Sequence, residues 1–267
     1  MRSRAGHVAW QLFGEKPEIL LLHGMTDSAA CWDPLIPFFT SYGGVLATDA
    51  RGHGRSGLPA EPVSEAVLAA DAAMVLDDLA AGPVLVVGHS MGATTAAQLG
   101  RIRPDLVSAA VLEDPPVFGR ELLPAGCPVP DWLTDLRALD PQDTLDRGRA
   151  DNPRWSADEF PPWATSKHEI NPDFFSSLTK PVPPLTEVLA AVSCPILLLH
   201  GDTERGSLVS PEFGAACERT AGGPLTPVHI GGVGHSIRRE ARDHYRAVVG
   251  DFLTGRAGDR QRENPVE

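Results

Sequence analysis

A serine between two glycines is the strongest chemical signal in this 267-residue chain. The pattern reads G-H-S-M-G over residues 88–92, and it joins an apolar run (83–88) to a segment with helical spacing. At a strand-to-helix junction this pattern forms a sharp turn, because glycine at both ends lets strand and helix approach closely and leaves the serine hydroxyl accessible. The spacing therefore predicts that Ser90 is an activated nucleophile.

A serine hydroxyl is a weak nucleophile until a base removes its proton. Of the nine histidines, His235 closes the sequence G-G-V-G-H at 231–235, after the last apolar run and before the last helical pattern. We predict that His235 is this base. His23, His89 and His200 end apolar runs, and we interpret them as structural residues that bind backbone groups. No H-E-x-x-H spacing occurs, so the sequence predicts no metal site.

Attack on a carbonyl creates an oxyanion that needs hydrogen-bond donors. The first expected donor is the backbone N–H of Met91, directly after the nucleophile. The second is expected from the loop after the apolar run 18–24, where the sequence reads H-G-M-T. We predict the backbone N–H of Met25 for this role and favour Thr26 less.

Short apolar runs that end in turn residues predict strands buried on both faces of a parallel sheet. Val8, Trp10 and Leu12 alternate with other residues and favour an edge strand ahead of them. The predicted buried strands are 18–24, 44–49, 83–88, 108–114, 194–201 and 224–230. The predicted helices between and after them are 64–81, with Ser64 as N-cap, 91–103, 211–221 and 238–253. This alternation predicts an α/β fold with a doubly wound, mostly parallel sheet.

Residues 116–185 interrupt the alternation of strands and helices. They contain 12 of the 25 prolines and three of the five tryptophans, and they show no strand pattern. A structureless loop of that length is rare in a compact domain, so we predict an inserted helical cap. The expected core then comprises 1–115 and 186–254. The polar tail, 255–267, is expected to be disordered.

The composition excludes several classes of partner. The net charge of −12 disfavours nucleic acid and anionic membranes, which both require clustered Lys and Arg. Four cysteines without a C-x-x-C pair, no apolar leader and no 20-residue apolar stretch favour a cytoplasmic protein. No G-x-G-x-x-G after a strand and no P-loop occur, so no cofactor is implied. The expected partner is a small-molecule substrate, and the oligomeric state stays open.

Several motifs together resemble the α/β-hydrolase superfamily. They are the His23-Gly24 pair, the D-A-R-G-H-G-R-S stretch at 49–56, the serine turn and the Gly234-His235 pair, in the family's order and approximate spacing. The resemblance covers nearly all of the chain outside the expected cap and tail. It implies the α/β-hydrolase fold, and it implies a structural turn without a catalytic role at 49–56.

The resemblance also implies an acid that accepts a hydrogen bond from the histidine Nδ1–H. In the family this acid follows one of two strands. Asp114 ends the run 108–114, which is similar to the placement in some dehalogenase-like and lactonase-like members. After the run 194–201, the family has an aspartate three residues past the glycine, where this chain has Glu204, and Asp202 lies closer in. All three acids stay candidates.

The resemblance implies hydrolysis of an ester, lactone or thioester through an acyl-enzyme on Ser90. C–C bond hydrolysis, acyl transfer, perhydrolysis and cofactor-free oxygenation use the same residues in relatives, and some relatives keep the triad but act as ligand receptors. Haloalkane dehalogenases and epoxide hydrolases place aspartate where this chain has Ser90, so they are disfavoured.

Aromatic residues of the expected cap are candidates for an apolar pocket. Most of them are expected to form the cap's own small core, because apolar side chains mostly pack against each other. These candidates are Trp132, Trp155, Trp163, Phe174 and Phe175. A medium-sized, largely apolar substrate follows from this composition.

Overall fold

One eight-stranded sheet organises the chain. The computed structural model describes residues 2–80, 82–117, 127–179 and 183–255. The strands are β1 (Arg2–Ala5), β2 (Val8–Phe13), β3 (Ile19–Leu22), β4 (Val45–Thr48), β5 (Val84–His89), β6 (Val107–Glu113), β7 (Ile196–His200) and β8 (Leu225–His229). Their order across the sheet is β1-β2-β4-β3-β5-β6-β7-β8. β1 and β2 run antiparallel to their neighbours and all other pairs are parallel. This order confirms the predicted α/β class with a doubly wound, mostly parallel sheet.

Eleven helices accompany the sheet in the described part of the chain. They are α1 (Ile36–Thr40), α2 (Glu65–Leu79), α3 (Met91–Ile102), α4 (Asp131–Ala138), α5 (Pro141–Asp151), α6 (Phe160–Glu169), α7 (Asp173–Ser177), α8 (Leu185–Leu189), α9 (Pro211–Thr220), α10 (Ile237–Glu240) and α11 (Arg242–Leu253). Short 3-10 turns cover Ala29–Leu35, Pro104–Leu106, Ala157–Glu159 and Thr203–Arg205. Ser64 caps α2 as predicted, since its side-chain oxygen accepts from the Val67 N–H at 3.3 Å.

The central strands are buried on both faces because helices cover both sides. Leu20 and Leu46 belong to an apolar cluster with α2, α3, α8 and α9. Leu21 and Val45 belong to a second cluster with the first 3-10 turn, α1 and α11. Side chains of successive strand residues point to opposite faces, so an unbroken apolar run fills both cores.

Two predicted elements differ from the structure. The strand from Val8 is not at the edge, because β1 pairs outside it in antiparallel register, Ala5 opposite Val8. The residues of β1 are mostly polar, and they carry no apolar alternation that would reveal a strand. The predicted helix 238–253 is two helices, α10 and α11, because Ala241 leaves the helical conformation at φ −140° and ψ 57°.

The predicted cap is described only in part. Residues 127–179, the helical segment hereafter, hold α4 to α7 and one isolated bridge, from Leu178 to Val63. Residues 118–126 and 180–182 of the predicted cap lie outside the described residues, as do residues 256–267 of the predicted tail. Within the described ranges, no helix has both the length and the apolar composition to cross a membrane. The four cysteines are free thiols.

The junction of β5 and α3 depends on two glycines. A Cβ on Gly88 would lie 2.1 Å from the Gly92 carbonyl oxygen, and a Cβ on Gly92 would lie 2.1 Å from the Leu22 carbonyl oxygen. Only glycine therefore lets the first turn of α3 pack against the ends of β5 and β3.

We expect the substitution Gly92→Ala to lower the free energy of unfolding by about 3 kcal/mol, because the new Cβ meets rigid backbone. Gly82→Ala is the matched control, since a Cβ on Gly82 would meet nothing within 4 Å. Urea unfolding of both variants checks this. Equal stability of the two variants would contradict the close packing.

Candidate active site

Ser90 lies in a strained turn between β5 and α3. Its φ of 53° and ψ of −118° lie in a region that non-glycine residues rarely adopt. The Ser90 N–H donates to the carbonyl oxygen of Glu113 at 2.9 Å, which ties the turn to the end of β6. Such strain persists only where surrounding contacts hold it, and it concentrates at functional sites.

His235 and Asp114 meet beside this turn. His235 Nδ1 lies 2.6 Å from Asp114 Oδ2, although the residues are 121 positions apart. The Asp114 side chain is fully buried, whereas the His235 side chain is one-third exposed. An Nδ1–H that donates to the carboxylate leaves Nε2 free to accept a proton, which is the tautomer that a base requires.

Asp114 receives three further hydrogen bonds. Ser207 Oγ donates to Oδ1 at 2.7 Å, the Leu208 N–H donates to Oδ2 at 2.9 Å, and the Val209 N–H donates to Oδ1 at 3.1 Å. The backbone of Asp114 has a φ of 44°. These contacts fix the carboxylate in one orientation toward His235.

The other two candidate acids lie elsewhere. Asp202 accepts from the Gly232 N–H at 2.8 Å and contacts His229 Nε2 at 2.7 Å. The Gly232 N–H and His229 hold the pKa of Asp202 below its usual value. Glu204 is exposed in the 3-10 turn. Among the three carboxylates, the structure brings Asp114 to His235.

The loop 23–27 passes beside Ser90. A Cβ on Gly24 would lie 3.5 Å from the Cβ of Ser90. The Gly24 carbonyl accepts from the Asp27 N–H at 3.0 Å and from His23 Nδ1 at 2.8 Å. The C=O and the following N–H of a trans peptide point in opposite directions. The Met25 N–H therefore points away from these two donors.

His23 is held in one tautomer. The Ala50 N–H donates to His23 Nε2 at 2.9 Å, so Nε2 carries no proton and Nδ1 donates to Gly24. Burial lowers the pKa of His23 and keeps the ring neutral. This geometry agrees with the structural role expected for His23.

The turn at 49–56 also supports this loop. Asp49 accepts from the Ala29 N–H at 2.8 Å and from the Arg55 N–H at 3.1 Å. His53 contacts the Met25 carbonyl oxygen through Nε2, and burial lowers its pKa to about 4. Sequence reasoning missed this contact, because nothing local in the turn indicates a partner 28 positions away.

The family follows from comparison with known proteins. The model of the alpha/beta hydrolase family matches residues 19–249. The chain belongs to this family. The match confirms the resemblance inferred from the sequence motifs.

Individual relatives of this α/β hydrolase match over shorter stretches. Lipase LipV of Mycobacterium tuberculosis is 38% identical over 125 residues, which are 45% of this chain and 47% of the lipase. The 2-(acetamidomethylene)succinate hydrolase of Mesorhizobium japonicum is 35% identical over 101 residues, which are 38% of this chain and 36% of that protein. Each match thus spans less than half of the relative.

Solved structures resemble most of the α/β-hydrolase chain. The M. tuberculosis esterase Rv0045c gives a TM-score of 0.74 at 22% identity, and covers 95% of this chain and 91% of its own. E-2-(acetamidomethylene)succinate hydrolase gives a TM-score of 0.72 at 22% identity, and the match covers 95% of this chain and 98% of that one. At this identity the likeness concerns the fold.

His89 is a buried histidine next to Ser90 in this α/β hydrolase. Its Nε2 lies 3.1 Å from the His235 carbonyl oxygen and donates to it, and the two ring centroids are 4.7 Å apart. His89 Nδ1 is buried without a hydrogen-bond partner among the described residues. Burial, together with Arg238, lowers the pKa of His89 well below its usual value.

A buried ion cluster lies behind the site. Sequence reasoning missed it, because its members are far apart in the chain and read singly as surface charges. Its centre is Asp27, within 3.1 Å of three cations. The members are Asp27, Glu113, Glu159, Lys167, Arg238 and Arg239, and each side chain is at most 5% exposed.

Apolar side chains lie next to the proposed oxyanion donors. Met25 and Met91 belong to one cluster with residues of the helical segment, namely Leu133, Ile170, Phe174 and Phe175. The three tryptophans predicted to line a pocket do not belong to this cluster. Trp155 packs on Phe160 and Trp163, whereas Trp132 is half exposed.

We expect the stability of the wild type to depend on the protonation of His89. In the unfolded chain its pKa returns to about 6.5, so below that pH the unfolded state binds a proton that the folded state does not. Stability therefore falls as the pH falls. Between pH 7.5 and pH 5 the wild type should lose more of its free energy of unfolding than the variant His89→Gln. Urea unfolding at both pH values measures the difference, and equal losses would show that the folded ring takes up the proton.

Proposed function

We propose that the protein is a serine hydrolase that cleaves an ester, lactone or thioester through an acyl-enzyme on Ser90. One observation carries the proposal: the buried Asp114 carboxylate holds His235 Nδ1 at 2.6 Å beside a serine in a strained strand-to-helix turn. Ser90, His235 and Asp114 are then nucleophile, base and acid, the arrangement used in acyl transfer. Asp202 is then a residue that ties two loops together.

In the proposed reaction, His235 Nε2 takes the Ser90 proton as the oxygen attacks the substrate carbonyl. Asp114 stabilises the imidazolium that forms. The N–H groups of Met25 and Met91 donate to the oxyanion, and the positive end of the α3 dipole favours the same charge. His235 then protonates the leaving group and activates water for deacylation.

An uncharged, largely apolar substrate is supported by the surroundings of the site. Met25 and Met91 lie in an apolar cluster with residues of the helical segment. The buried cations behind the site are compensated by Asp27, Glu113 and Glu159. A carboxylate on the substrate would therefore compete with existing ion pairs.

We further propose that residues 116–185 form a cap over the core of 1–115 and 186–254. Ile170, Phe174 and Phe175 belong to one apolar cluster with Met25 and Met91 of the site, which supports a cover at this edge of the sheet. The edge is the carboxyl end of the parallel strands, where α/β proteins bind ligands. A cytoplasmic location agrees with four free thiols.

The first experiment is a fluorophosphonate reaction with the wild type, Ser90→Ala and His235→Ala. We expect labelling and hydrolysis of p-nitrophenyl esters only in the wild type, because each variant lacks a group that forms the acyl-enzyme. Removal of a member of such a triad lowers kcat by roughly 10⁴-fold or more. Hydrolysis rates for p-nitrophenyl esters of increasing acyl chain length then report how large an apolar acyl group the site accepts.

The outcomes separate the alternatives. Labelling without turnover of any ester would replace the esterase assignment by C–C bond hydrolysis, acyl transfer or a triad-retaining receptor. Unlabelled wild type would overturn the assignment of Ser90 as an activated nucleophile.

Asp114→Asn and Asp202→Asn distinguish the two acids. We expect Asp114→Asn to lower kcat by about 10⁴-fold, because an amide favours the wrong tautomer of His235. Asp202→Asn should keep kcat within about tenfold, because its carboxylate contacts the loop and not the base. Ester hydrolysis measures both, and thermal unfolding confirms that both variants fold. The reverse ranking would make Asp202 the acid.

A further inference from the structure

Lys167 is a buried cation of helix α6 with no part in the proposed reaction. Its side chain is 2% exposed. It contacts the loop next to the nucleophile, 140 positions away in the chain. Nζ donates to the Thr26 carbonyl oxygen at 2.7 Å, to Thr26 Oγ1 at 3.1 Å and to Asp27 Oδ1 at 3.0 Å. A buried ammonium with only one carboxylate partner is costly, so its position requires these further acceptors.

The first contact fixes a peptide plane of the loop. The Thr26 carbonyl accepts from Lys167 and from Ser166 Oγ at 3.1 Å. The N–H of the same trans peptide belongs to Asp27 and points the opposite way. That N–H donates to the Gly24 carbonyl oxygen at 3.0 Å. Lys167 thus determines where the Asp27 N–H points.

A second peptide plane, between Gly24 and Met25, connects the Lys167 contact to the proposed site. The Gly24 carbonyl is held by the Asp27 N–H, and the N–H of the same peptide belongs to Met25. The direction of the Met25 N–H, the proposed oxyanion donor, therefore follows from the contact that Lys167 makes two peptides away.

The carboxylate of Asp27 adds a second connection. One oxygen binds Lys167, and the other accepts from Arg238 at 3.1 Å and from Arg239 at 2.9 Å. Both arginines follow His235 closely in the chain. Asp27 thus joins the helical segment, the loop 23–27 and the segment after the base.

The need to neutralise the Asp27 carboxylate does not by itself explain the position of the Lys167 ammonium. The two arginines already compensate the carboxylate, and the shortest contact of Lys167 is to the backbone oxygen of Thr26. The ammonium also lies 5.2 Å from the ring centroid of Trp163. This arrangement directs Lys167 at the loop backbone.

We propose that Lys167 is a positioning residue, which orients the Met25 N–H through Thr26 and Asp27 and so makes the oxyanion site depend on the docked helix α6. The proposal rests on the proposed function and assigns it a further residue. It predicts that the loss of Lys167 impairs stabilisation of the transition state more than binding of the substrate.

The test compares Lys167→Met with Arg242→Met. Methionine keeps the apolar stem, and Asp27 retains both arginine partners. Arg242 also joins the helical segment to the core, through Asp158 at 2.7 Å and Glu159 at 2.6 Å, but its side chain makes none of the contacts to the loop 23–27. Arg242→Met therefore controls for a general weakening of the contact between the helical segment and the core.

For Lys167→Met we expect kcat on a p-nitrophenyl ester to fall by about 10- to 100-fold, with KM within about threefold. Amide hydrogen exchange in the loop 23–27 should rise by roughly tenfold. In Arg242→Met both kcat and loop exchange should stay near the wild-type values, even if the melting temperature falls.

Three results would overturn the proposal: unchanged kcat in Lys167→Met, unchanged loop exchange, or equal loss of kcat in both variants. If Lys167→Met fails to fold, Lys167→Gln, whose side chain ends one bond short of the lysine nitrogen that binds Thr26, replaces it with the same criteria. A wild type that does not turn over the ester would refute the proposed esterase activity, and loop exchange alone would then decide the role of Lys167.

Discussion

The buried carboxylate of Asp114 holds together the ends of three neighbouring strands. Asp114 follows β6, its backbone donors follow β7, and His235 follows β8. Without this acceptor, four donors from two loops would lose their partner, at a cost of about 1–3 kcal/mol for each one left buried. The preceding residue, Glu113, accepts the Ser90 N–H through its carbonyl oxygen. The end of β6 therefore positions every side chain of the proposed triad.

Glu113 and Asp114 bind different sets of partners, although they are neighbours at the end of β6. Glu113 binds Arg238 in the buried ion cluster, while Asp114 binds His235. Burial of several ions contributes little net stability, since desolvation offsets their attraction. Loss of a single member is costly, however, and the cluster therefore favours one arrangement of the loops over its alternatives.

The sequence predicted the site where neighbours in the chain carry the signal. Ser90 was recognisable because strand, turn and helix follow one another directly. The proposed acid could not be singled out among the candidates, since the choice of Asp114 over Asp202 depends on a contact across 121 positions and on the route of the loop after β7. The contacts of Lys167 with Thr26 and Asp27 could not be predicted for the same reason. In the fold, the buried strands were visible as apolar runs, whereas the polar strand Arg2–Ala5 pairs mainly through its backbone and left no pattern.

The contact between the helical segment and the core combines buried and exposed ion pairs. Arg154 pairs with Glu240 and Arg242 pairs with Asp158 at its exposed rim, whereas Asp27 and Lys167 lie inside. Dissolved salt screens exposed charges over about 10 Å at 0.1 M, and it acts much less on buried ones. Concentrated salt therefore weakens the exposed ion pairs at the rim of the helical segment. The buried pair of Lys167 and Asp27 keeps the segment attached to the loop 23–27.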